Sequence, residues 1–232
     1  MAMTNALATN DRHDATEIPD CRSCTLGRAA GHPDQGRCPL VCRTRPAGAF
    51  VYVEGQRADQ VYYIKRGVVV LSRDTGERRG PVAWTVRRPG ALVGAESLVQ
   101  HTYTDTARTA TESAICTGPV MTFEHWMGAR EGAARAVLDV TLRQTCEDAP
   151  RRAGSDGSAV QRVAAWLLEQ RHDDPARRLP RHLVAELLGM LPETLSRALA
   201  TLAKSGSIRV DRKNIDVVDA DRLDALANGD KD

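Results

Sequence analysis

The chain of 232 residues is nearly neutral, with a formal net charge of +2, and 42% of its residues are hydrophobic. This length and apolar fraction suffice for two modest domains with packed cores. The small net charge excludes a protein that binds polyanions through overall charge alone. Charged residues interrupt every apolar run before the roughly 20 residues that a membrane-spanning helix needs, and the first 20 residues lack the apolar core of a signal peptide. We therefore expect a soluble, cytoplasmic protein without a membrane partner.

Four of the six cysteines lie within the first 42 residues, in the arrangement C-x2-C-x13-C-x3-C formed by Cys21, Cys24, Cys38 and Cys42. Cytosolic thiols are kept reduced, so such a cluster favours metal-bound thiolates over disulfides. Taken alone, two cysteine pairs at this separation fit a four-cysteine zinc site. A metal-free thiol switch remains open.

Short strands are predicted from about residue 46 to residue 123. The β-branched and aromatic runs are separated by glycines, which is typical of a sandwich or a barrel. The clearest of these runs are residues 50–53, 61–64, 68–71 and 82–86.

A helix is predicted over residues 130–148, because apolar residues recur there at steps of three and four. Its predicted apolar face consists of Ala134, Val137, Leu138, Thr141, Leu142 and Thr145 or Cys146. We interpret Cys146 as a small core residue of this face. Pro150, Gly154 and Gly157 follow, and they are expected to end the helix and keep it short.

The C-terminal third has the order of a winged helix-turn-helix. An apolar-faced helix over residues 181–188 is followed by Gly189 at a tight turn, and Pro192 then begins a second helix over residues 193–205. Two short strands after Gly206 predict a wing. The polar side chains expected to face outward from the second helix are Glu193, Thr194, Ser196, Arg197 and Lys204.

Three segments resemble the CRP/FNR superfamily of bacterial transcription regulators. Residues 48–67 read GAFVYVEGQRADQVYYIKRG, residues 94–98 read GAESL, and residues 183–208 read LVAELLGMLPETLSRALATLAKSGSI. The resemblance implies an α+β chain with a cyclic-nucleotide-binding-like β-roll, a dimerisation helix and a C-terminal winged helix-turn-helix. The expected divisions are a cysteine-rich segment (1–42), the β-roll (43–127), the dimerisation helix with a hinge (128–157) and the DNA-binding domain (158–232).

The resemblance also implies partners. It predicts a homodimer on a palindromic site in double-stranded DNA, with RNA polymerase as a further partner. An enzyme is not expected, because the chain shows no Ser-His-Asp array, no phosphate-binding glycine loop and no paired acid and base.

Cys116 points to the FNR-like branch of that superfamily. It lies in the sequence AICTGPVMTF, where FNR-like proteins place the fourth ligand of a 4Fe-4S cluster. The resemblance therefore implies a cluster held by Cys21, Cys24, Cys38 and Cys116, with Cys42 as the alternative third ligand. Such a regulator would sense oxygen, nitric oxide or redox state, and zinc is the alternative metal.

The second helix of the DNA-binding motif carries E-x-x-S-R, as FNR-like recognition helices do, at Glu193, Ser196 and Arg197. Arginine reads guanine through two hydrogen bonds, and a carboxylate accepts one from the cytosine amino group. The resemblance implies a half-site similar to TTGAT.

Gating by a cyclic nucleotide is the alternative form of control. Nucleotide-binding relatives grip the ribose with Gly-Glu and the phosphate with Arg followed by Ser or Thr. Here Gly94 is followed by Ala95, which removes that carboxylate, although Glu96 and the pair Arg108 and Thr109 keep the alternative open.

Overall fold

The computed structural model describes residues 21, 24–29, 38–74, 76, 82–130, 132–153, 157–170, 179–211 and 214–229, with backbone alone at 149–153. Most of the predicted cysteine-rich segment and part of the predicted hinge lie outside the described residues. Within the described part of the chain, no helix is long and apolar enough to cross a membrane.

The N-terminal half forms a β-roll of two four-stranded antiparallel sheets. One sheet has the order β1-β8-β3-β6 and the other the order β2-β7-β4-β5. The strands are β1 (Val41–Arg45), β2 (Phe50–Tyr52), β3 (Gln60–Arg66), β4 (Val69–Arg73), β5 (Val82–Arg87), β6 (Leu92–Val93), β7 (Thr106–Thr109) and β8 (Ser113–Pro119). Inward-facing residues of both sheets, such as Ile64, Leu71 and Ile115, make the core between them.

One turn of the β-roll requires glycine. Gly67, between β3 and β4, has a φ of +87°, and a Cβ built there would collide with the Ser113 hydroxyl and lie 2.5 Å from the Glu112 carbonyl oxygen. Ser113 is the first residue of β8 and Glu112 precedes it, so the turn at Gly67 packs against the start of β8 without room for a side chain.

Two helices follow β8, and a short one precedes β1. They are α1 (Thr25–Ala29), α2 (Val120–Ala129) and α3 (Ala133–Ala153), the last with 21 residues. The helix passes Pro150 and reaches Ala153, so Pro150 does not end it and the prediction of a short helix is wrong. Gly154, the next residue expected to interrupt the helix, lies outside the described residues. Proline removes one main-chain hydrogen bond, and near the helix end that loss leaves the rest of the ladder intact.

The long helix α3 has two apolar faces. One face, which includes Val137 and Val140, packs against the β-roll. On the other face Leu138 and Leu142 are 55% and 52% exposed. Cys146 is also exposed in the single chain, so its interpretation as a core residue is not supported by the chain's own packing.

The C-terminal third is the predicted winged helix-turn-helix, and the α+β fold class is confirmed. Its elements are α4 (Ala159–Gln170), α5 (Arg181–Leu187), α6 (Pro192–Lys204), β9 (Ile208–Val210), β10 (Ile215–Val217) and α7 (Ala220–Asn228). Leu195, Leu199 and Leu202 of α6 are buried in a core shared with α4, α5 and α7. Strands β9 and β10 pair as the wing.

Apolar and polar contacts join the β-roll to α3 and α5. Leu183 of α5 packs with Val68, Val70, Ala83 and Val86 in one apolar cluster, and the Glu186 carboxylate accepts a 2.6 Å hydrogen bond from the Ala83 amide of the edge strand β5. Near the end of α3, Asp148 forms a buried two-point ion pair with Arg87 of β5, with N–O distances of 2.8 and 2.6 Å.

Candidate functional site

Five cysteines predicted from scattered sequence positions come together at one end of the β-roll. Cys116 lies on β8 directly opposite Cys42 of β1 and Tyr63 of β3. Cys24, Cys38 and Cys42 pack against the apolar cluster that contains Cys116. The remaining member, Cys21, accepts a 3.1 Å hydrogen bond from the Lys65 ammonium group. We call Cys21, Cys24, Cys38, Cys42 and Cys116 the thiol site.

Lys65 is the positive charge of the thiol site. Burial lowers its pKa, but the hydrogen bond to Cys21 and the nearby thiols of Cys116 and Cys24 raise it overall. The same ammonium group also acts on the pKa values of Cys38 and Cys42. Lys65 is therefore charged at neutral pH, and its charge interacts with the thiols of this site.

Sequence reasoning missed Lys65, although a signal existed. Alternation along β3 places Val61, Tyr63 and Lys65 on one face of the strand. Tyr63 is the register partner of Cys116, so Lys65 points to the same side as that cysteine. The sequence signal was a lysine at the end of the apolar run VYYIK, which forms a strand beside the candidate ligand Cys116.

The thiols differ in acidity. The hydrogen bond with Cys116 lowers the pKa of Cys42 to about 7, burial opposes this, and Lys65 lowers it further. The same hydrogen bond, with burial, raises the pKa of Cys116. Burial is also the main reason that the pKa of Cys38 is raised. Of this pair, Cys42 is the more acidic thiol.

The sulfur of Cys24 is supported by the turn that follows it. The Gly27 amide donates a 3.0 Å hydrogen bond to the Cys24 sulfur. A Cβ at Gly27 would collide with the Cys21 carbonyl oxygen and lie 2.9 Å from the Cys24 sulfur. A hydrogen bond from a main-chain amide is the support that metal-bound thiolates commonly receive, so this turn is suited to present Cys24 as a ligand.

The separation of the thiols bears on the metals that they could hold. Among the described residues, no three His, Cys, Asp or Glu side chains are grouped closely enough to hold one metal ion. Zinc needs four ligands about 2.3 Å from one point, whereas a cubane takes one thiolate at each of four separate irons. Thiolate ligands suit both zinc and iron-sulfur clusters, so the donor types are compatible with either metal.

Aromatic side chains occupy the interior of the β-roll. Tyr52 and Tyr103 stack with ring centroids 4.1 Å apart, and Tyr62 lies beside both rings. The Tyr52 hydroxyl donates a 2.9 Å hydrogen bond to the Asp105 carboxylate. These rings fill the space between the two sheets near the loop that starts at Gly94.

The residues of the cyclic-nucleotide alternative are divided between the interior and the surface. Glu96 is half-buried in a short 3-10 helix after Gly94, and burial raises its pKa. Arg108 is exposed on β7, whereas the next residue, Thr109, points inward and donates to the Pro46 carbonyl. Arg108 therefore points away from the interior in which Glu96 lies close to Tyr52.

The predicted DNA-contact residues share the outer side of α6. Glu193, Ser196, Arg197 and Lys204 are exposed, and Thr194 is half-exposed. Pro192 occupies the first turn, and Gly189 makes the preceding turn with a φ of +59°. The exposed N-terminal half of a helix in this position can enter a major groove while its amides face phosphates.

Two parts of the chain match known protein families. Residues 42–129 match the cyclic nucleotide-binding domain, and residues 161–226 match the Crp-like helix-turn-helix domain. The chain belongs to the CRP/FNR family of transcription regulators. The expectation of a DNA-binding regulator is thereby confirmed, and this is a family of regulators, not of enzymes.

Relatives of the regulator come from more than one branch. It is 29% identical over 189 residues to the CRP-like cAMP-activated global transcriptional regulator of Mycobacterium tuberculosis, covering 77% of this chain and 84% of that protein. It is 23% identical over 204 residues to the transcriptional activator protein Anr of Pseudomonas aeruginosa, covering 82% of each. The structure of FixK2 from Bradyrhizobium japonicum has the same fold, with a TM-score of 0.71 and 22% identity over 81% of this chain and 96% of that one.

Proposed function

We propose that this regulator senses oxygen, nitric oxide or redox state through a 4Fe-4S cluster held by Cys21, Cys24, Cys38 and Cys116. The observation that carries the proposal is that Cys24, Cys38, Cys42 and Cys116 adjoin one apolar cluster, while Cys21 accepts a hydrogen bond from Lys65. When bound, the cluster supplies an oxidisable centre that these signals destroy or convert. Lys65 offsets the negative charge of the thiolates, which the low-dielectric surroundings would otherwise disfavour.

Cys38 is the third ligand in this proposal, and Cys42 is the alternative. Cys42 lies within β1, where the strand ladder holds it opposite Cys116. Cys38 precedes the strand, where the backbone is not bound in a ladder. Its thiol is therefore the easier of the two to move toward a ligand position.

The thiol site is connected to the dimerisation helix. Leu26 of α1, which follows Cys24, is fully buried in the apolar cluster that also holds Val137 and Val140 of α3. Ligation of Cys24 would fix α1 against α3. Because Leu138 and Leu142 lie exposed on the other face of α3, we propose that this face pairs with a second copy, and that cluster loss weakens the pairing.

The regulator is proposed to read DNA through Glu193, Ser196 and Arg197, at a palindrome with half-sites similar to TTGAT. Thr194 and Lys204 would contact the phosphate backbone beside those bases. RNA polymerase is the proposed protein partner at the promoter. The exposed positions of these side chains on α6 support this part of the proposal.

Anaerobic purification followed by an absorption spectrum and iron, sulfide and zinc analysis tests the cluster. We expect a broad visible band that bleaches in air. Cys38→Ala and Gly27→Ala should lose the band, whereas Cys42→Ala and the exposed control Cys146→Ala should keep it. Stoichiometric zinc without colour would overturn the iron-sulfur proposal in favour of the zinc alternative.

Footprinting tests the DNA-contact residues. Arg197→Ala should abolish site-specific protection, because each lost bidentate guanine contact costs about 1–3 kcal/mol and a dimer loses two. Lys204→Ala should weaken specific and non-specific binding alike and reduce the salt dependence. Specific protection by Arg197→Ala at moderate salt would contradict the base-reading role.

Cyclic-nucleotide gating is the second candidate, favoured by the M. tuberculosis relative described as cAMP-activated. The tyrosine rings between the sheets argue against it here. Titration of cAMP into the anaerobic protein while DNA affinity is measured separates the two candidates. An affinity increase that Glu96→Gln abolishes would favour the nucleotide.

A further inference from the structure

Cys42 is the cysteine of the thiol site that the proposed ligand set leaves out. In the antiparallel ladder of β1 and β8 it lies directly opposite Cys116, between the pairs Val41–Thr117 and Arg43–Ile115. Side chains of directly opposed residues leave the sheet on the same face. Both sulfurs therefore meet on the apolar side of this sheet, without any change in strand register.

The backbone separation also suits a covalent bond. Directly opposed residues of an antiparallel ladder have Cα atoms about 4.5 or 5.5 Å apart, depending on the type of pair. Disulfides span Cα separations of about 4.4–6.8 Å. Either type of pair thus has a Cα separation that an S–S bond can span.

We propose that, in the cluster-free protein, hydrogen peroxide converts Cys42 and Cys116 into a reversible cross-strand disulfide. This inference builds on the proposed function in one respect: it gives the thiol site a third state, beside the cluster-bound and the reduced cluster-free forms. Because Cys116 is consumed, the disulfide form cannot accept a cluster until it is reduced. The regulator would then remain insensitive to returning iron and sulfide while oxidant persists.

The difference in exposure assigns the order of the two steps. Cys42 is half-buried, whereas Cys116 is only 4% exposed. Peroxide therefore meets Cys42 first. Its thiolate attacks one peroxide oxygen, the O–O bond breaks, and the products are a sulfenic acid on Cys42 and hydroxide, which takes a proton from solvent.

Cys116 completes the reaction. Its sulfur attacks the Cys42 sulfur, the S–O bond breaks, and the departing hydroxide leaves as water with the proton of the Cys116 thiol. Two electrons pass in total from the two thiols to one peroxide molecule. The Lys65 ammonium group, close to both sulfurs, stabilises the negative charge that develops during both steps.

The other cysteines are placed less well for this bond. Cys21 is exposed and is held by Lys65, Cys38 lies before β1 begins, and Cys146 is exposed on α3. Only Cys42 is held opposite Cys116 by a strand ladder among the described residues. This gives a specific expectation for the disulfide map.

The test uses the full chain, stripped of metal by a chelator under anaerobic conditions and then treated with hydrogen peroxide. Free thiols are alkylated and the protein is digested with trypsin for mass spectrometry. Cys38 and Cys42 share one tryptic peptide, residues 38–43, so the map is made in Cys38→Ser. In that variant we expect a link between peptides 38–43 and 109–130, which dithiothreitol removes.

Cys42→Ser, with Cys38 intact, should lose the link and leave Cys116 open to alkylation after unfolding, whereas Cys146→Ser should keep it. A link that persists in Cys42→Ser, or Cys116 that stays reduced in Cys38→Ser, would overturn the proposal. The map needs no cluster, so it stands or fails independently of the iron-sulfur proposal. A second experiment tests whether the disulfide prevents cluster binding. Cluster reconstitution of the oxidised wild type is attempted before and after treatment with dithiothreitol, and success before reduction would refute this part of the proposal.

Discussion

The buried ion pair between Arg87 and Asp148 ties the β-roll to the end of α3. The two side chains are only 8% and 7% exposed. The Thr85 hydroxyl donates a further hydrogen bond of 3.1 Å to the same carboxylate. Replacing Asp148 by alanine leaves the Arg87 charge buried without this counter-charge, and breaking such a pair from one side costs about 3–5 kcal/mol.

For a chain of this size, each kcal/mol corresponds to about 2–4 °C in melting temperature. Asp148→Ala should therefore lower the melting temperature by roughly 6–20 °C. Removing both charges in Arg87→Met/Asp148→Leu should cost much less than the two single changes together, because apolar residues of similar volume often replace a buried pair at little cost. Urea unfolding of the two single variants and the double variant gives the coupling free energy.

The exposed pair of Arg66 and Glu112 is the matched control, with side chains 29% and 55% exposed and an N–O distance of 3.0 Å. Arg66→Met should cost at most about 1 kcal/mol, as solvent-exposed pairs do. Equal losses for Asp148→Ala and Arg66→Met, or strictly additive effects at Arg87 and Asp148, would refute the reasoning.

Three further predictions concern stability and domain contact. Burial raises the pKa of Glu96, so the free energy of unfolding falls as pH rises from the ordinary pKa of 4.5 through the raised value. Glu96→Gln should flatten this pH dependence and be more stable than the wild type at pH 7. An unchanged pH dependence in urea unfolding would contradict this. Glu186→Ala removes the acceptor of the Ala83 amide, so hydrogen exchange at Ala83 should speed up about tenfold or more; unchanged exchange would show that the contact does not protect it. Gly67→Ala should lower the melting temperature much more than Gly55→Ala. Both glycines have a positive φ, but of the two only Gly67 has neighbours that a Cβ would touch. Equal losses would show that contact with these neighbours is not the cause.

The DNA-binding third was the most predictable part of the chain. Its signals are local: Gly189 at the turn, Pro192 at the helix start and leucines at helical spacing are read from neighbouring residues. The β-roll was predictable as a class from its strand runs and glycines. The end of α3 was not predictable from Pro150. A proline close to a helix end removes only one hydrogen bond, so the other hydrogen bonds can carry the helix past it.

The sequence by itself determined the types of side chain available: five soft thiols, a candidate fourth ligand at Cys116 and a recognition helix with E-x-x-S-R. Only the tertiary structure decided which thiols meet. The pairing of Cys42 with Cys116 depends on the register between β1 and β8, a long-range property that shifts every partner if it slips by one residue. A second register, between β3 and β8, places Tyr63 opposite Cys116, and Lys65 of the same strand donates to Cys21. Spacing along the sequence could not predict these pairings, because strands distant in sequence pair according to the core that they bury together.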